Sequence, residues 1–206
     1  MSDIICKLKS IVGENSGVIL ELGSCEGEDS SRLLNAFRHA QLFCFEPDPK
    51  NCADHRSRIS NKRCVLTEAA ISDENGIVVF HRSGGRPRRA SGSIRSPKDH
   101  LTRHPWCTFN EDIKVRCMTM DTWRDNNGID VIDLIWADVN GAETSMIKGG
   151  QSALSRTRYL YTEFGPDDAE VYEGGVTKQQ LLALLPDFDE VLTNNNNVLL
   201  KNRTLP

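Results

Sequence analysis

Two hydrophobic periods alternate along the chain. Short unbroken apolar runs, the pattern of strands buried on both faces, are separated by stretches where apolar residues return every third or fourth position, the pattern of helices lying on a sheet. Gly17-Val18-Ile19-Leu20-Glu21-Leu22 is the first strong run, and it leads directly into Gly23-Ser24-Cys25-Glu26-Gly27. A helix is expected next, with Leu33, Leu34 and Phe37 on its inner face. Gln41 to Glu46 reads as a second strand ending at Pro47-Asp48-Pro49, where Asp48 can cap a helix and Pro49 suits its first turn. A third strand is expected from Cys64 to Ile71, then a turn at Asp73-Glu74-Asn75-Gly76 and an added strand at Ile77 to Phe80. Ile113 to Met118 alternates as a half-buried strand, and Val131 to Val139 has the continuous apolar character of a central one. Gly141 to Leu154 places Ala142, Met146, Ile147, Ala153 and Leu154 near one helical face, and Arg158 to Phe164 reads as a strand. Thr177-Lys178-Gln179-Gln180 is a capping-box pattern opening a Leu-rich helix, and two short strands around Asn194 to Asn197 predict a terminal β-hairpin. The order predicts an α/β fold with a mostly parallel sheet, a terminal antiparallel hairpin strand and helices on both faces.

Composition narrows this picture. The 206 residues suit one domain spanning 1–206, and the formal charge of -4 does not suggest a general nucleic-acid binder. No apolar run approaches the length of a membrane span, and the first residues lack the pattern of a secretion signal, so the cytoplasm is the expected location. The seven cysteines (Cys6, Cys25, Cys44, Cys52, Cys64, Cys107 and Cys117) are odd in number and irregular in spacing, without a Cys-x-x-Cys pair. They predict neither a disulfide framework nor a metal site, and read as small buried hydrophobes.

The chemistry begins at the first strand's end. A glycine turn there lets a ligand approach the backbone, and the helix that follows offers unpaired N–H groups to an anion. The glycines Gly23 and Gly27 are four apart, unlike the three-glycine turn that cradles a pyrophosphate. With Glu21 before them and Glu26, Glu28 and Asp29 after, the spacing suits a ligand carrying both carboxylate and ammonium. Gly23, Ser24, Gly27 and Ser30 are therefore candidate cofactor contacts, with Glu21 near the positive charge. Glu46, followed by Pro47, ends the second strand, where a carboxylate accepts both hydroxyls of a ribose. Ala70 and Ile71 are suited to flanking an adenine. Asp138-Val139-Asn140-Gly141-Ala142-Glu143 ends the central strand, where ligands bind in open α/β sheets.

Together these segments resemble the FkbM-type methyltransferase family over roughly residues 17–165. The resemblance is carried by Glu21 to Gly27, Phe45-Glu46-Pro47, Ala70-Ile71-Ser72-Asp73, Thr119-Met120-Asp121, Asp138 to Glu143 and Glu163. It implies a Rossmann-like class I methyltransferase fold, S-adenosyl-L-methionine as donor, and transfer to a hydroxyl oxygen. Two positions depart from the family's Lys-x-Asp-x-Glu-Gly-x-Glu pattern: Trp136 stands for the lysine and Asn140 for the first glutamate. Asn140 is no general base. Two other readings share some of these features. A dinucleotide-dependent oxidoreductase would use Glu46 but lacks its phosphate turn, and a methyltransferase-like binding module without turnover would explain Asn140 and Trp136.

Methyl transfer chiefly requires alignment, and a hydroxyl acceptor gains from a base beside the attacking oxygen. Asp138 is the candidate, as base or as partner of the cofactor's amine, with Glu143 and Glu163 completing the catalytic set. These carboxylates are also of the type that holds a divalent cation, although no metal is predicted. Residues 83–112 read as an irregular lid, and from Arg82 to Arg103 the chain carries Arg82, Arg86, Arg88, Arg89, Arg95, Lys98 and Arg103 against Asp99 alone. Arginine forks suit anions, so Arg86, Arg88 and Arg89, with Ser93 and Asn140, are the candidate acceptor contacts. The expected acceptor is small or anionic: a sugar, glycan, natural product or nucleic-acid end.

Overall fold

A computed structural model describes residues 4–85 and 90–206. Seven strands form the main sheet: β1 (Val18–Leu22), β2 (Gln41–Phe45), β3 (Cys64–Thr67), β7 (Ile132–Ala137), β8 (Thr157–Glu163), β9 (Phe188–Asn194) and β10 (Asn197–Asn202). Their order is β3-β2-β1-β7-β8-β10-β9. The first five are mutually parallel, and β10 runs antiparallel to both β8 and β9. The hairpin turns at Asn195, whose φ of 54° is one that asparagine tolerates.

Alternate residues of each strand serve opposite faces. Leu20 and Leu22 pack with helices α5 (Met120–Asn127), α6 (Glu143–Lys148), α7 (Gln151–Ser155) and α8 (Lys178–Ala183). Ile19 packs on the other face against α1 (Ile4–Val12) and α2 (Glu28–Ala36), where Leu33, Leu34 and Phe37 are buried as their spacing predicts. Each such side chain contributes about 1.5–3 kcal/mol. Trp123 fills the first layer edge-on to Phe43 and Phe45, with ring centroids 4.9 and 5.6 Å away. Asp48 caps α3 (Pro49–Arg58) by accepting the Lys50 N–H at 2.8 Å, and Thr177 and Gln180 form the capping box of α8. None of the described helices is long and apolar enough to cross a membrane.

Three segments differ from the pattern-based expectation. The strand expected over Cys64–Ile71 breaks at Glu68-Ala69, where the Ala69 N–H turns back to the Thr67 carbonyl. Beyond the break, β4 (Ala70–Ile71) joins a second sheet of order β4-β6-β5, with β5 at Gly76–Gly85 and β6 at Cys107–Met118. Those two long strands take in both ends of the supposed irregular stretch 83–112. Much of β6 faces solvent, so its alternation of apolar residues is faint until Ile113. Between them lies the four-residue helix α4 (His100–Arg103). Finally, the helix expected over 141–154 divides at Gly149-Gly150. A Cβ on Gly149 would stand 2.0 Å from the Ser72 carbonyl oxygen, so only glycine permits that close passage.

Register aligns the site. Leu22 pairs with both Phe45 and Ala137, and Ala137 pairs with Thr162. The residues that follow or end these strands, Gly23, Glu46, Asp138 and Glu163, therefore share one edge. The chain leaves β1 and β7 toward opposite sides of the sheet, which opens a crevice between them.

Candidate active site

At that edge the Gly23 and Ser24 N–H groups both donate to the Phe45 carbonyl, each at 2.9 Å. Gly23 has φ 86°, and a Cβ there would lie 1.9 Å from the Asp138 carbonyl oxygen. The turn thus needs glycine both for its backbone and for its neighbour. Beside it is a cleft of about 1060 Å³, mouth included, lined by Glu21, Gly23, Ser24, Glu46, Pro47, Ala70, Ile71 and Asp138 among others. Eight of the ten expected cofactor contacts meet here. Gly27 and Ser30 do not line it: Gly27 packs on His55, and the Ser30 hydroxyl donates to Glu21 from behind at 2.5 Å. Ser24 Oγ is buried without a hydrogen-bond partner, a donor that only a ligand or water in the cleft can satisfy.

Glu46 is buried and doubly held. Its Oε2 accepts the Cys25 N–H and its Oε1 the Asp48 N–H, each at 2.8 Å. Burial nevertheless pushes its carboxyl up to about 7. Asp48 is in turn gripped by Arg82 through two 2.9 Å bonds. Glu21 is buried too, bonded to Ser30 and to the Cys44 thiol, and burial raises it to about 8. A cationic ligand near either group would offset that cost.

Asp138 stands at a junction. It lines the first cleft and also a second cavity of about 2090 Å³, which contains Glu143, Glu163, Trp106 and Tyr172. Its side chain is open to solvent through these cavities but ringed by protein, and that desolvation, with the Asp29 carboxylate, raises it to about 6. Burial lifts Glu143 to about 7, where it also accepts the Gly141 N–H at 3.2 Å. Burial, then the charges of Asp138 and Glu143, lift Glu163 to about 8. The expected catalytic trio therefore shares one cavity wall.

Asn140 has φ 49°. Its side-chain amide donates to the carbonyls of Ala90 (3.0 Å) and Gly92 (3.2 Å), while its backbone carbonyl accepts from Ser93 Oγ at 2.7 Å. Tyr172 adds a 2.8 Å bond to the Ser91 carbonyl. Segment 90–93 is thereby stitched down as a partition between the two cavities. A carboxylate has no N–H to give two carbonyls, so asparagine suits this seam where glutamate would not. Asn140 and Ser93 were expected to touch the acceptor; Asn140 lines both cavities and Ser93 the first, while their polar atoms also hold each other and the lid.

The basic stretch changes meaning as well. Arg82 pairs with Asp48 and Glu111, Lys98 with Glu170, and Arg103 with Asp168, while Arg95 donates to Ser145. These charges serve the protein's own contacts rather than a free anion-reading surface. Arg86, Arg88 and Arg89 lie outside the described residues. What the sequence reading missed is an aromatic group: His100 contacts Phe109 and Tyr172, and His104 contacts Trp106, which is 58 % exposed. Isolated aromatics within a polar stretch were the available signal.

Comparison with known proteins decides the family. The family model described as the methyltransferase FkbM domain matches residues 12–196. This chain belongs to the FkbM methyltransferase family. It is 41% identical over 208 residues to the 2-O-methyltransferase NoeI of Sinorhizobium fredii (strain NBRC 101917 / NGR234), covering 97% of this chain and 85% of that one. Solved structures share the fold. Aeropyrum pernix fibrillarin, which carries natively bound S-adenosyl-L-methionine, has a TM-score of 0.52 at 12% identity, over 96% of this chain and 72% of that one. A SAM-dependent methyltransferase from Aquifex aeolicus has a TM-score of 0.53 at 10% identity, over 96% and 89%. Membership makes the chain an S-adenosylmethionine-dependent methyltransferase rather than a dinucleotide-dependent oxidoreductase. The family's lysine position holds Trp136, which is buried, lines the cofactor cleft and lies against Tyr161 at 4.6 Å between centroids.

Proposed function

We propose that the enzyme methylates one hydroxyl of a neutral, hydroxyl-rich acceptor seated in the second cavity, with Asp138 beside the reacting oxygen. The observation carrying this reading is that Asp138 lines both cavities, so it alone of the catalytic trio borders the donor's cleft. S-adenosylmethionine, when bound, supplies an electrophilic methyl on a sulfonium. Toward it the residues divide as follows: Gly23 and Ser24 receive the amino-acid end, Glu21 balances positive charge, Glu46 takes the ribose hydroxyls, and Ala70 and Ile71 flank the base. The buried, partnerless Ser24 Oγ supports that assignment.

The acceptor class follows from charge. Asp138, Glu143, Glu163 and Asp167 line the second cavity, and there the Lys98–Glu170 and Arg103–Asp168 pairs cancel one another. Such a wall exchanges hydrogen bonds with hydroxyls and, among the described residues, offers an anion no unpaired Lys or Arg, which departs from the expectation raised by the arginine-rich stretch. Trp106 offers an exposed apolar face on which a sugar-like ring can lie. The relative NoeI is named a 2-O-methyltransferase, in keeping with choice of one hydroxyl among several.

Methyl-group incorporation into panels of neutral and anionic glycosides tests the acceptor class. Neutral acceptors are expected to turn over faster. For Asp138→Asn, kcat is expected to fall roughly 10²–10⁴-fold, while S-adenosylhomocysteine affinity changes little. Turnover at the wild-type rate would remove Asp138 from the chemistry, and a preference for anionic acceptors would return attention to the arginines.

A further inference from the structure

Behind the cofactor turn, side chains from β1, β2, β3, α2 and α3 converge on one buried spot. The Cys44 and Cys64 sulfurs are 3.5 Å apart, and Glu21 Oε2 is 3.2 Å from Cys44 Sγ. His55 faces the same spot: its Nε2 is 2.9 Å from Ser30 Oγ, which lies 3.7 Å from Cys44 Sγ. Ligand atoms of Cys44, His55 and Cys64 all lie within 4.8 Å of one another. Cys44, His55 and Glu21 are essentially buried, and Cys64 is half-exposed on the edge strand, which leaves a way in.

We propose that Cys44, Cys64 and His55 form a binding site for a thiophilic divalent cation of the zinc class, with the fourth position left to water. Two thiolates on one tetrahedral zinc, with bonds of about 2.3 Å, stand about 3.8 Å apart. The observed 3.5 Å needs little adjustment. Two thiols and an imidazole are donors such an ion selects. A disulfide explains the pair less well. Cys64 pairs in register with Leu42, so Cys44 is its diagonal neighbour. Two residues along a parallel strand and one strand across place their Cα atoms about 8 Å apart, beyond what a disulfide spans without backbone movement. Simple packing of thiols does not account for the imidazole. Loading expels the two thiol protons to solvent and fixes β2, β3 and α3 to one point directly beneath the donor's cleft. The irregular sequence spacing hid the cluster, because the crossover from β2 through α3 to β3 brings its members together.

Cobalt(II) titration of the full chain after chelator treatment tests the site. Saturation near about one equivalent is expected, with thiolate-to-cobalt charge-transfer bands and the strong visible bands of a tetrahedral ion. Cys64→Ser should weaken binding at least about tenfold, as loss of even an outer partner can. Cys107→Ser, remote from the cluster, should leave it unchanged. Absence of a thiolate band in the wild type, equal binding by Cys64→Ser, or a Cys44–Cys64 disulfide in the chain purified under air exclusion would each overturn the proposal. Should Cys64→Ser fail to fold, the wild type decides: zinc must raise its melting temperature by several degrees and chelation must reverse the rise. No rise would refute the site.

Discussion

Asn140 offers the sharpest check on how the two cavities are kept apart. Replacing it with glycine removes the amide but keeps a residue at ease at φ 49°. What is lost is the pair of bonds to Ala90 and Gly92 at 3.0 and 3.2 Å. At about 1 kcal/mol each, discounted for partial exposure, the loss is about 1.5 kcal/mol. If the segment opens locally, its open population should rise about tenfold, since 1.4 kcal/mol is a factor of ten. Asn140→Ala forfeits the same bonds and adds the left-handed penalty of about 1 kcal/mol. Asn140→Glu, which restores the family residue, turns a carboxylate toward two carbonyls and should loosen the segment at least as much as glycine does. Hydrogen exchange followed by mass spectrometry reads this directly in the peptide containing Ser91 and Ser93, whose N–H groups bond to Ser83 and His81. Faster exchange confined to that peptide, in the order Gly then Ala, is the expected result. Exchange within twofold of wild type for Asn140→Gly, or acceleration spread equally over β1 and β7, would refute the seam.

Further outcomes follow from the same geometry. Glu46→Gln keeps the shape but sets an amide N–H against the N–H of Cys25 or Asp48 and removes a charge from the ribose site. Calorimetry should show S-adenosylhomocysteine binding about 10²-fold weaker, since bonds to charged groups contribute about 1.5–3 kcal/mol each; a change below threefold would move the ribose elsewhere. Gly23→Ala drives a Cβ to 1.9 Å from the Asp138 carbonyl, so denaturant melts should show more than about 2 kcal/mol of lost stability. An unshifted midpoint would contradict the close approach. The raised carboxyls also set the pH response. Glu21 and Glu163 near 8, with Glu46 and Glu143 near 7, bind protons in the folded chain that they release when unfolded. Their contribution is fully present below the unfolded value of about 4.3 and lost as pH rises through 7 to 8. The melting temperature of the ligand-free protein should therefore fall between pH 5.5 and 8.5, and a flat or rising profile would show these groups to be solvated.

Where burial and local chain direction coincide, the sequence was a good guide. Val18 to Leu22 and Ile132 to Ala137 have no polar face to confuse the reading, and the turns after them follow from the sheet's parallel order. The capping signals at Asp48 and Thr177 are equally local. The exceptions are tertiary in origin. Nothing in Cys64 to Ile71 marks the step from one sheet to the other. The glycines at 149 and 150 divide a helix because Ser72 and Met120 press on it from distant parts of the chain. In the site, residue types at strand ends pointed to side chains that line one cleft, but could not tell that Ser30 supports Glu21 from behind. Nor could they show that the carboxylates spending the charges of Arg82, Lys98 and Arg103 sit far away in sequence. Charge clusters look free in one dimension because their counterions are elsewhere.

The chain has three tryptophans, and the fold distributes them with one in each working layer. Trp136 lines the cleft proposed for the donor, Trp106 stands exposed in the cavity proposed for the acceptor, and Trp123 is enclosed in the core under β2. Indole emission responds to polarity and to nearby quenchers, so three variants that each retain a single tryptophan would give separate optical signals. One would follow donor docking, another acceptor arrival and the third global unfolding. The order of substrate addition then becomes measurable in a stopped-flow fluorimeter without attaching any dye.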